Sequence, residues 1–335
     1  MNPILVTGAA GFVGTRFVES CHDRGAPVIS VDTLAHFSTR PEHAATAYGT
    51  IVDRDDLFDW LDRATPALSG IIHLGACTDT TETDEAYFTR VNVQYSQRLW
   101  TYATRARVPF VYASSAATYG DGALGYDDDE SLIPRLLPLN AYGRSKHTFD
   151  TWVLAQSETP PVWSGWKFFN VYGYGERHKG HMASVILHAY DQLRAGGPVR
   201  LFRSHRAGIA DGHQARDFID VRDVVSVLWF ALEHPVRRGI YNLGTGQART
   251  YLDLARAVCH ALGVEERIEF IDTPPAIREK YQYFTEARIA RLRNAGYDAP
   301  FHALESGVAD YTTRIDPSLI RTALPPTRTR ATRPS

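Results

Sequence analysis

Pro3-Ile-Leu-Val-Thr-Gly8-Ala-Ala-Gly11-Phe-Val-Gly14 is the stretch that decides the fold. Residues 3–8 read as a short buried strand. Residues 12–24 read as a helix whose inner face carries Phe12, Val13, Phe17, Val18 and Cys21. Gly8, Gly11 and Gly14 stand between and at their junction, in GxxGxxG spacing. Glycine permits a tight turn, close approach of backbone to a pyrophosphate, and close helix–strand packing. The spacing differs from GxGxxG, but the physics is shared. Val28 to Val31 reads as a second strand, ending at Asp32, 18 positions beyond Gly14. A carboxylate there accepts hydrogen bonds from the ribose hydroxyls of a dinucleotide.

Working outward, Ile71 to Leu74, Phe110 to Ala113 and Val162 to Phe169 are apolar runs of strand length, separated by periodic stretches of helical length. Alternating strand and helix implies an α/β fold, a doubly wound parallel sheet of the Rossmann type. The second half is less regular. A Gly/Tyr/His-rich loop spans 172–181, a helix 182–195, and a polar loop 203–216 carries Arg203, His205, Arg206, His213 and Arg216. Strand then helix follows at 218–233, strand at 240–243, and an amphipathic helix at 250–262. We expect a nucleotide-binding domain from 1–168 plus roughly 217–243. A smaller α/β substrate-binding domain is expected from 169–216 and 244–323, and a disordered tail from 324–335.

Composition narrows the function classes. With 335 residues, 44% hydrophobic and 22% charged, the chain is globular and long enough for a large core. A net charge of -2 supplies no basic field for nucleic acid. No apolar run approaches the roughly 18 residues that a membrane helix needs. Cys21, Cys77 and Cys259 form no CxxC, so neither a zinc site nor a disulfide framework is indicated. Free thiols and a start that reads directly as strand lead us to expect the cytoplasm. His205 and His213 lack carboxylates or cysteines at ligand spacing, so no metal is expected. Only four residues are lysine, at 146, 167, 179 and 280. Where arginine serves most positive positions, a remaining lysine marks a place for a compact, titratable amine.

The second signal is Tyr142-Gly-Arg-Ser-Lys146. This spacing sets tyrosine and lysine one helical turn apart on one face. An unperturbed tyrosine, with a pKa of about 10, is a poor base at neutral pH. A nearby ammonium and a positive nicotinamide ring would lower it. Lys146 would also hold the nicotinamide ribose. Tyr142 would take a proton from a substrate hydroxyl while Ser115, at the end of a strand, hydrogen-bonds the reacting oxygen. Asp32 alone favours NAD. Arg40 and Arg54 would offset its charge toward the 2′-phosphate of NADP, so the residues leave both cofactors open.

These motifs, in this order with His73-Leu-Gly-Ala76 and Ser114-Ser-Ala-Ala-Thr-Tyr-Gly120, resemble the extended short-chain dehydrogenases/reductases. Gly75-Ala-Cys-Thr-Asp-Thr-Thr-Glu82, Phe169-Asn-Val-Tyr-Gly173 and above all His178-Lys-Gly-His-Met-Ala-Ser-Val185 are similar to the ADP-L-glycero-D-manno-heptose 6-epimerase family. Arg216-Asp-Phe-Ile, Tyr241-Asn-Leu-Gly-Thr-Gly246 and Lys280-Tyr-Gln-Tyr-Phe-Thr285 add to the likeness, which runs to about residue 312. It implies oxidation at C6″ of an ADP-heptose to a ketone with tightly bound NADP, then return of the same hydride to the other face. It assigns proton handling to Tyr142 in one orientation and Lys179 in the other. Cofactor contacts would come from Gly8, Gly11, Phe12, Val13, Gly14, Asp32, Leu74, Gly75, Ala76, Cys77, Thr78, Asn92, Lys146 and Val171. Substrate contacts would come from Ser115, Asn170, His188, Phe202, Arg203, Ser204, Arg216 and Tyr281. His181 stands where some members have serine, and no role is carried to it. The resemblance also implies a cyclic homo-oligomer, a pentamer.

Three other readings are weighed on their residues. A UDP-hexose 4-epimerase shares everything up to Lys146, but it needs one base on a rotating sugar and leaves Lys179 without a task. A 4,6-dehydratase needs an Asp-Glu pair just after the active-site Ser/Thr, where Ala116-Ala117 stand. A non-catalytic dinucleotide sensor would typically lose Tyr142 or Lys146.

Overall fold

The computed structural model describes residues 1–322 apart from Pro235, Arg237, Glu279 and Lys280. The expected tail at 324–335 and Lys280 lie outside the described residues. Strands β1 (Ile4–Thr7), β2 (Val28–Asp32), β3 (Thr50–Asp53), β4 (Gly70–His73), β5 (Phe110–Ser115) and β6 (Trp163–Phe168) alternate with helices. These are α1 (Phe12–Asp23), α2 (Leu57–Ala64), α3 (Glu85–Phe88), α4 (Tyr95–Ala106) and α5 (Ala141–Leu154). A π-helical stretch, Thr89–Gln94, joins α3 to α4. The second half adds β7 (Asn170–Tyr172), α6 (Val185–Arg194), β8 (Val199–Phe202), β9 (Ala215–Asp220), α7 (Val221–Glu233), β10 (Gly239–Leu243), β11 (Ala248–Thr250), α8 (Tyr251–Leu262) and β12 (Ile268–Ile271). It closes with α9 (Pro275–Arg278), α10 (Ala290–Asn294) and α11 (Leu304–Ile315).

The central sheet is parallel, with order β10-β6-β5-β4-β1-β2-β3. Adjacent residues of one strand feed opposite cores, as period-two alternation requires. Leu5 and Ile71 join Leu99, Trp100 and Phe149 under α4 and α5. Val6 and Ile72 join Phe17, Val224 and Leu228 under α1 and α7. The sheet is therefore covered on both faces, the doubly wound α/β arrangement expected from the alternation. Helix α7 and strand β10 return to this sheet. So does part of 244–323: Leu292 of α10 and Tyr297 pack into the core under α1 and α7. That stretch was expected in the second domain. It contributes buried apolar side chains too few to stand alone, and the open face of the sheet supplies their partners.

A third core gathers Ile186, Leu187, Val199, Leu254, Val258, Val308 and Tyr311 between α6, α8 and α11. Beside it lie two small sheets, β11-β9-β7 and β12-β8. The strands β7, β8, β11 and β12 are three or four residues long, too short to show a period in sequence. No helix among the described residues is long and apolar enough to cross a membrane.

The turn between β1 and α1 has no spare volume. Gly8 has φ +68°, and a Cβ there would stand 2.7 Å from the Gly75 amide nitrogen. A Cβ on Gly14 would stand 2.0 Å from the Gly8 carbonyl oxygen. Both obstacles are backbone, which cannot turn aside as a side chain does. Gly14→Ala is expected to lower stability by roughly 3 kcal/mol or more, because α1 must lift off the sheet. Thermal unfolding beside the parent protein checks this; an unchanged midpoint would refute it.

Candidate active site

At the C-terminal ends of β1, β2, β4 and β5 a cavity of about 1200 Å³ opens between the central sheet and the third core. Ligands bind outside the carboxyl ends of parallel strands, where the strand order reverses. Here the order reverses between β1 and β4. The wall includes Gly8, Gly11, Phe12, Val13, Gly14, Asp32, Arg40, Arg54, Leu74, Gly75, Ala76, Cys77, Thr78 and Val171. Of the expected cofactor set, Asn92 alone stands off this wall. Gly11 caps α1 without a side-chain acceptor, which leaves the first-turn amides to an anion. Cavity size, glycine cradle and open helix terminus together fit a dinucleotide.

Asp32 is held in place by three neighbours. It accepts from the Ala10 amide at 3.1 Å, from the Thr33 amide at 2.8 Å, and pairs with His36 at 2.8 Å. Arg40 donates to the Ala10 carbonyl from inside the cavity wall. Burial pulls its pKa down, and the Asp32 charge pulls it back. Arg54 lines the same end, half exposed, beside Asp55.

Asn92 stands behind the wall as a clamp. It is 1% exposed and sits in the π-helical stretch. Its Oδ1 accepts from the Cys77 amide at 2.8 Å. Its Nδ2 donates to the Cys77 carbonyl and to Ser145 Oγ, both at 2.9 Å. One side chain thereby ties the loop after β4 to α5. The Asn92 carbonyl accepts from Ser96, which meets His73 at 2.7 Å; His73 meets Thr7 at 2.6 Å. Burial, reinforced by the Lys146 ammonium, pushes His73 down to about 3, so this imidazole is neutral.

Helix α5 starts at Asn140, whose side chain accepts from the Gly143 amide at 2.7 Å. It presents Tyr142 and Lys146 to the cavity, with Ser115 opposite. Burial pushes Tyr142 above its ordinary value, and a hydrogen bond with Ser115 pulls against it. The expected depression is therefore absent from the protein groups alone. Lys146 donates to the Ala113 carbonyl at 2.9 Å. Burial draws its pKa down to about 8, opposed by Asp150.

Beneath these lies a wholly buried ion pair. Lys167 and Asp150 meet at 2.6 Å with both side chains 0% exposed. Ser114 and Tyr112 also donate to Asp150, at 2.7 and 3.0 Å, and Lys167 donates to Thr118 at 2.7 Å.

Lys179 reaches the cavity from a different element. Its loop is a 3₁₀ turn, Arg177–Met182, broken at Gly180, where φ is +56°. The ammonium lies 5.3 Å from the Phe12 ring centroid and pairs with Glu176 at 3.2 Å. Asn170, His178, His181 and Met182 line the same side. His178 is pushed down to about 3, first by burial and then by Arg40 and His43.

The remaining expected substrate residues stand outside this wall. Phe202 and Tyr281 meet edge to face at 6.3 Å, and Arg216 lies over Tyr281 and Tyr251 at 5.3 and 5.7 Å. Tyr251 and Phe218 belong to the cavity wall and join the two groups. Arg203 pairs loosely with Asp211 and Asp272, and the Ser204 amide donates to Asp211 at 2.7 Å. His188 sits half-buried on α6. Sequence reasoning missed Glu176, His36 and Tyr251. The spacing Glu176 to Lys179 and Asp32 to His36 is turn spacing, and it becomes a signal only once the turn is known.

A glycine cradle, a ribose carboxylate and a Ser-Tyr-Lys group around one cavity define a nicotinamide-dependent enzyme of the α/β class. Residues 4–244 match the model of the NAD dependent epimerase/dehydratase family. The chain is 43% identical over 319 residues to an ADP-L-glycero-D-manno-heptose-6-epimerase of Fusobacterium nucleatum, covering 92% of this chain and 96% of that one. A protein of the same name from Nitratidesulfovibrio vulgaris is 43% identical over 313 residues, covering 92% and 97%. Among solved structures, the Helicobacter pylori ADP-L-glycero-D-manno-heptose-6-epimerase superposes with TM-score 0.79 at 27% identity, covering 95% and 96%. A UDP-N-acetylglucosamine 4-epimerase of Methanobrevibacter ruminantium superposes at 0.80 with 19% identity over 95% and 99%, a likeness of fold alone. The chain belongs to the NAD dependent epimerase/dehydratase family and, within it, to the branch of the heptose epimerases.

Lys146 generates a pH-dependent prediction. Its folded pKa of about 8 lies below the ordinary 10.5, so burial of the charged form opposes folding. That opposition is full below pH 8 and fades as pH rises toward 10.5. Lys146→Met is expected to unfold later than the parent at pH 7, by on the order of 3 kcal/mol. The gap should shrink by pH 10. Melting curves at the two pH values decide it; a gap independent of pH would remove the buried charge as its cause.

Proposed function

We propose that this chain interconverts ADP-D-glycero-β-D-manno-heptose and its L-glycero epimer by transient oxidation at C6″, with NADP held tightly throughout. The observation that carries the reading is that two proton-bearing groups, Tyr142 and Lys179, line one cavity from different elements. Inverting a carbinol centre through a ketone presents two faces of one carbon, and a proton-bearing group from each of two elements serves the oxygen in its two orientations.

A bound nicotinamide would supply the acceptor, and then the donor, of the hydride at the substrate carbon. The protein does the rest. Gly8, Gly11 and the first turn of α1 receive the pyrophosphate. Asp32 receives the adenosine ribose, and Arg40 with Arg54 the 2′-phosphate. Lys146, one turn from Tyr142, holds the second ribose and adds positive charge beside the phenol. Ser115 hydrogen-bonds the C6″ oxygen and holds it against Tyr142. Tyr142 takes the hydroxyl proton as the carbonyl forms. Lys179 serves the oxygen once the ketone has turned its other face. Phe202, Arg216, Tyr251 and Tyr281 receive the nucleotide end, with a guanidinium for phosphate and flat rings for the base. The central sheet is the cofactor domain and the third core the substrate domain. We place the enzyme in the cytoplasm as a homo-oligomer.

Proton NMR of ADP-D-glycero-D-manno-heptose incubated with the purified protein, without added cofactor, should show the L-glycero epimer appear. No conversion, even with NADP or NAD supplied, would sink the reading. Tyr142→Phe and Lys179→Met are each expected to cut turnover by roughly 10² to 10⁴ while leaving NADP bound. Arg40→Ala and Arg54→Ala should each weaken NADP roughly tenfold and leave NAD nearly unaffected, read by fluorescence titration. Equal losses for both cofactors would argue against the 2′-phosphate assignment.

A further inference from the structure

Glu176 is 0% exposed, and a carboxylate without water must be fully partnered. Its Oε1 accepts from Tyr311 at 3.1 Å and from the Ser184 hydroxyl. Its Oε2 accepts from the Ser184 amide at 2.9 Å and from Lys179 Nζ at 3.2 Å. Three of these four donors are neutral. Among the described residues, Lys179 is the cation in salt-bridge range of it.

The backbone enforces the pairing. The Lys179 amide donates to the Glu176 carbonyl at 2.9 Å, so the turn sets both side chains on one side. Gly180 then reverses the chain, and the Ser184 amide comes back onto the same carboxylate. Lys179 itself is 27% exposed, with its ammonium beside the Phe12 ring on the cavity wall. One end of the pair is dry and fixed, and the other faces the reaction space.

We propose that Glu176 is a positioning residue of the reaction: its buried carboxylate holds the Lys179 ammonium charged and aimed past Phe12 into the cavity. This rests on the reading that Lys179 passes a proton to the C6″ oxygen. In the direction toward the L-glycero epimer, the substrate hydroxyl proton goes to Tyr142 and the C6″ oxygen becomes a carbonyl. On re-reduction the O–H bond forms with a proton from Lys179. Tyr142 is left with one proton more and Lys179 with one fewer, and water resets both. Glu176 stays a carboxylate throughout and favours return of the proton to Lys179.

Six other charged or titratable groups face the pair. Tyr311 of α11 donates to the carboxylate. Arg177 and Glu42 lie behind it and engage one another, with the Arg177 amide on Glu42 at 2.9 Å. His178, His43 and Arg40 lie toward the cofactor end. Glu42 is thus occupied by Arg177, and the facing groups on the cofactor side are cations or neutral rings. Among the described residues, no carboxylate other than Glu176 is in salt-bridge range of the Lys179 ammonium.

The experiment uses the four-lysine composition. Protein labelled with ¹³C at lysine Cε is titrated by NMR, and the Lys179 signal is identified by its loss in Lys179→Met. Glu176→Gln, which keeps the shape, is expected to move the Lys179 titration to lower pH by roughly a unit or more. The basic limb of kcat/KM should move with it, at nearly unchanged KM. Glu176→Asp sets the charge about 1.5 Å further back and should restore most of the limb position. If the Gln variant does not fold, a smaller shift of the same sign in the Asp variant carries the test. A Lys179 signal titrating at the parent pH in both variants overturns the pairing, whatever the substrate proves to be. A shifted signal with an unmoved limb overturns its part in the reaction. Failure of the parent protein to epimerise any nucleotide-heptose would instead strike the reading of the reaction, while leaving the signal to report on the pair.

Discussion

A lysine and an aspartate from which water is wholly excluded hold the site together. Each charge alone would cost several kcal/mol to bury, so neither Lys167 nor Asp150 tolerates a position without the other. The group draws on three elements and a turn: Tyr112 and Ser114 from β5, Lys167 from β6, Asp150 from α5, and Thr118 from the turn after β5. Satisfying all of them fixes the rotation of α5 about its own axis. Lys146 lies one turn above Asp150 and Tyr142 one turn above that, so their aim at Ser115 is inherited from the pair. Asn92 fixes the other side of the same helix by holding Ser145 and Cys77 together. The chemistry therefore sits on a helix gripped from two directions, which is what a pre-organised site requires.

Charge is distributed by solvation. Arginine takes the exposed positive positions, many of them in pairs with carboxylates. The three described lysines all lie at or beneath the cavity: Lys146 and Lys167 buried, Lys179 half-buried. Ammonium is a compact charge whose proton can be removed, whereas guanidinium keeps its charge in any protein environment. Burial draws Lys146 down to about 8, a range in which an arginine would still hold its proton. Tyr142 moves the other way, above its ordinary value. Burial sets Tyr142 against ionisation, and a bound, positive nicotinamide ring would favour the phenolate.

The first half of the fold was legible because its signals are local. Ile4 to Gly14, Asp32 and the apolar runs at Ile71 and Phe110 are each decided by neighbours in sequence, and the parallel sheet follows from their alternation. Tyr142, Lys146 and Ser115 were legible for the same reason. The second half was not. Strands β7, β8, β11 and β12 are defined by distant partners, and Leu292 with Tyr297 join the first sheet only because it offers a face to cover. Asn92 was legible as a residue of the site, but its hold on Cys77 and Ser145 was not, since those partners lie 15 and 53 residues away. Phe202, Arg216 and Tyr281 were named together and do meet, yet beside the main cavity, with Tyr251 as the join. Glu176 carried no motif of its own. Its meaning lies in Ser184 and Tyr311, eight and 135 residues away.

The strand order has a consequence for how the chain is made. Strand β6 lies in the interior of the sheet, but its outer neighbour β10 is translated some seventy residues later, at Gly239–Leu243. Until it emerges from the ribosome, β6 presents a bare hydrogen-bonding edge, and the face later covered by α7 and α10 is greasy and uncovered. The central sheet is thus the first part of the fold to be begun and among the last to be finished.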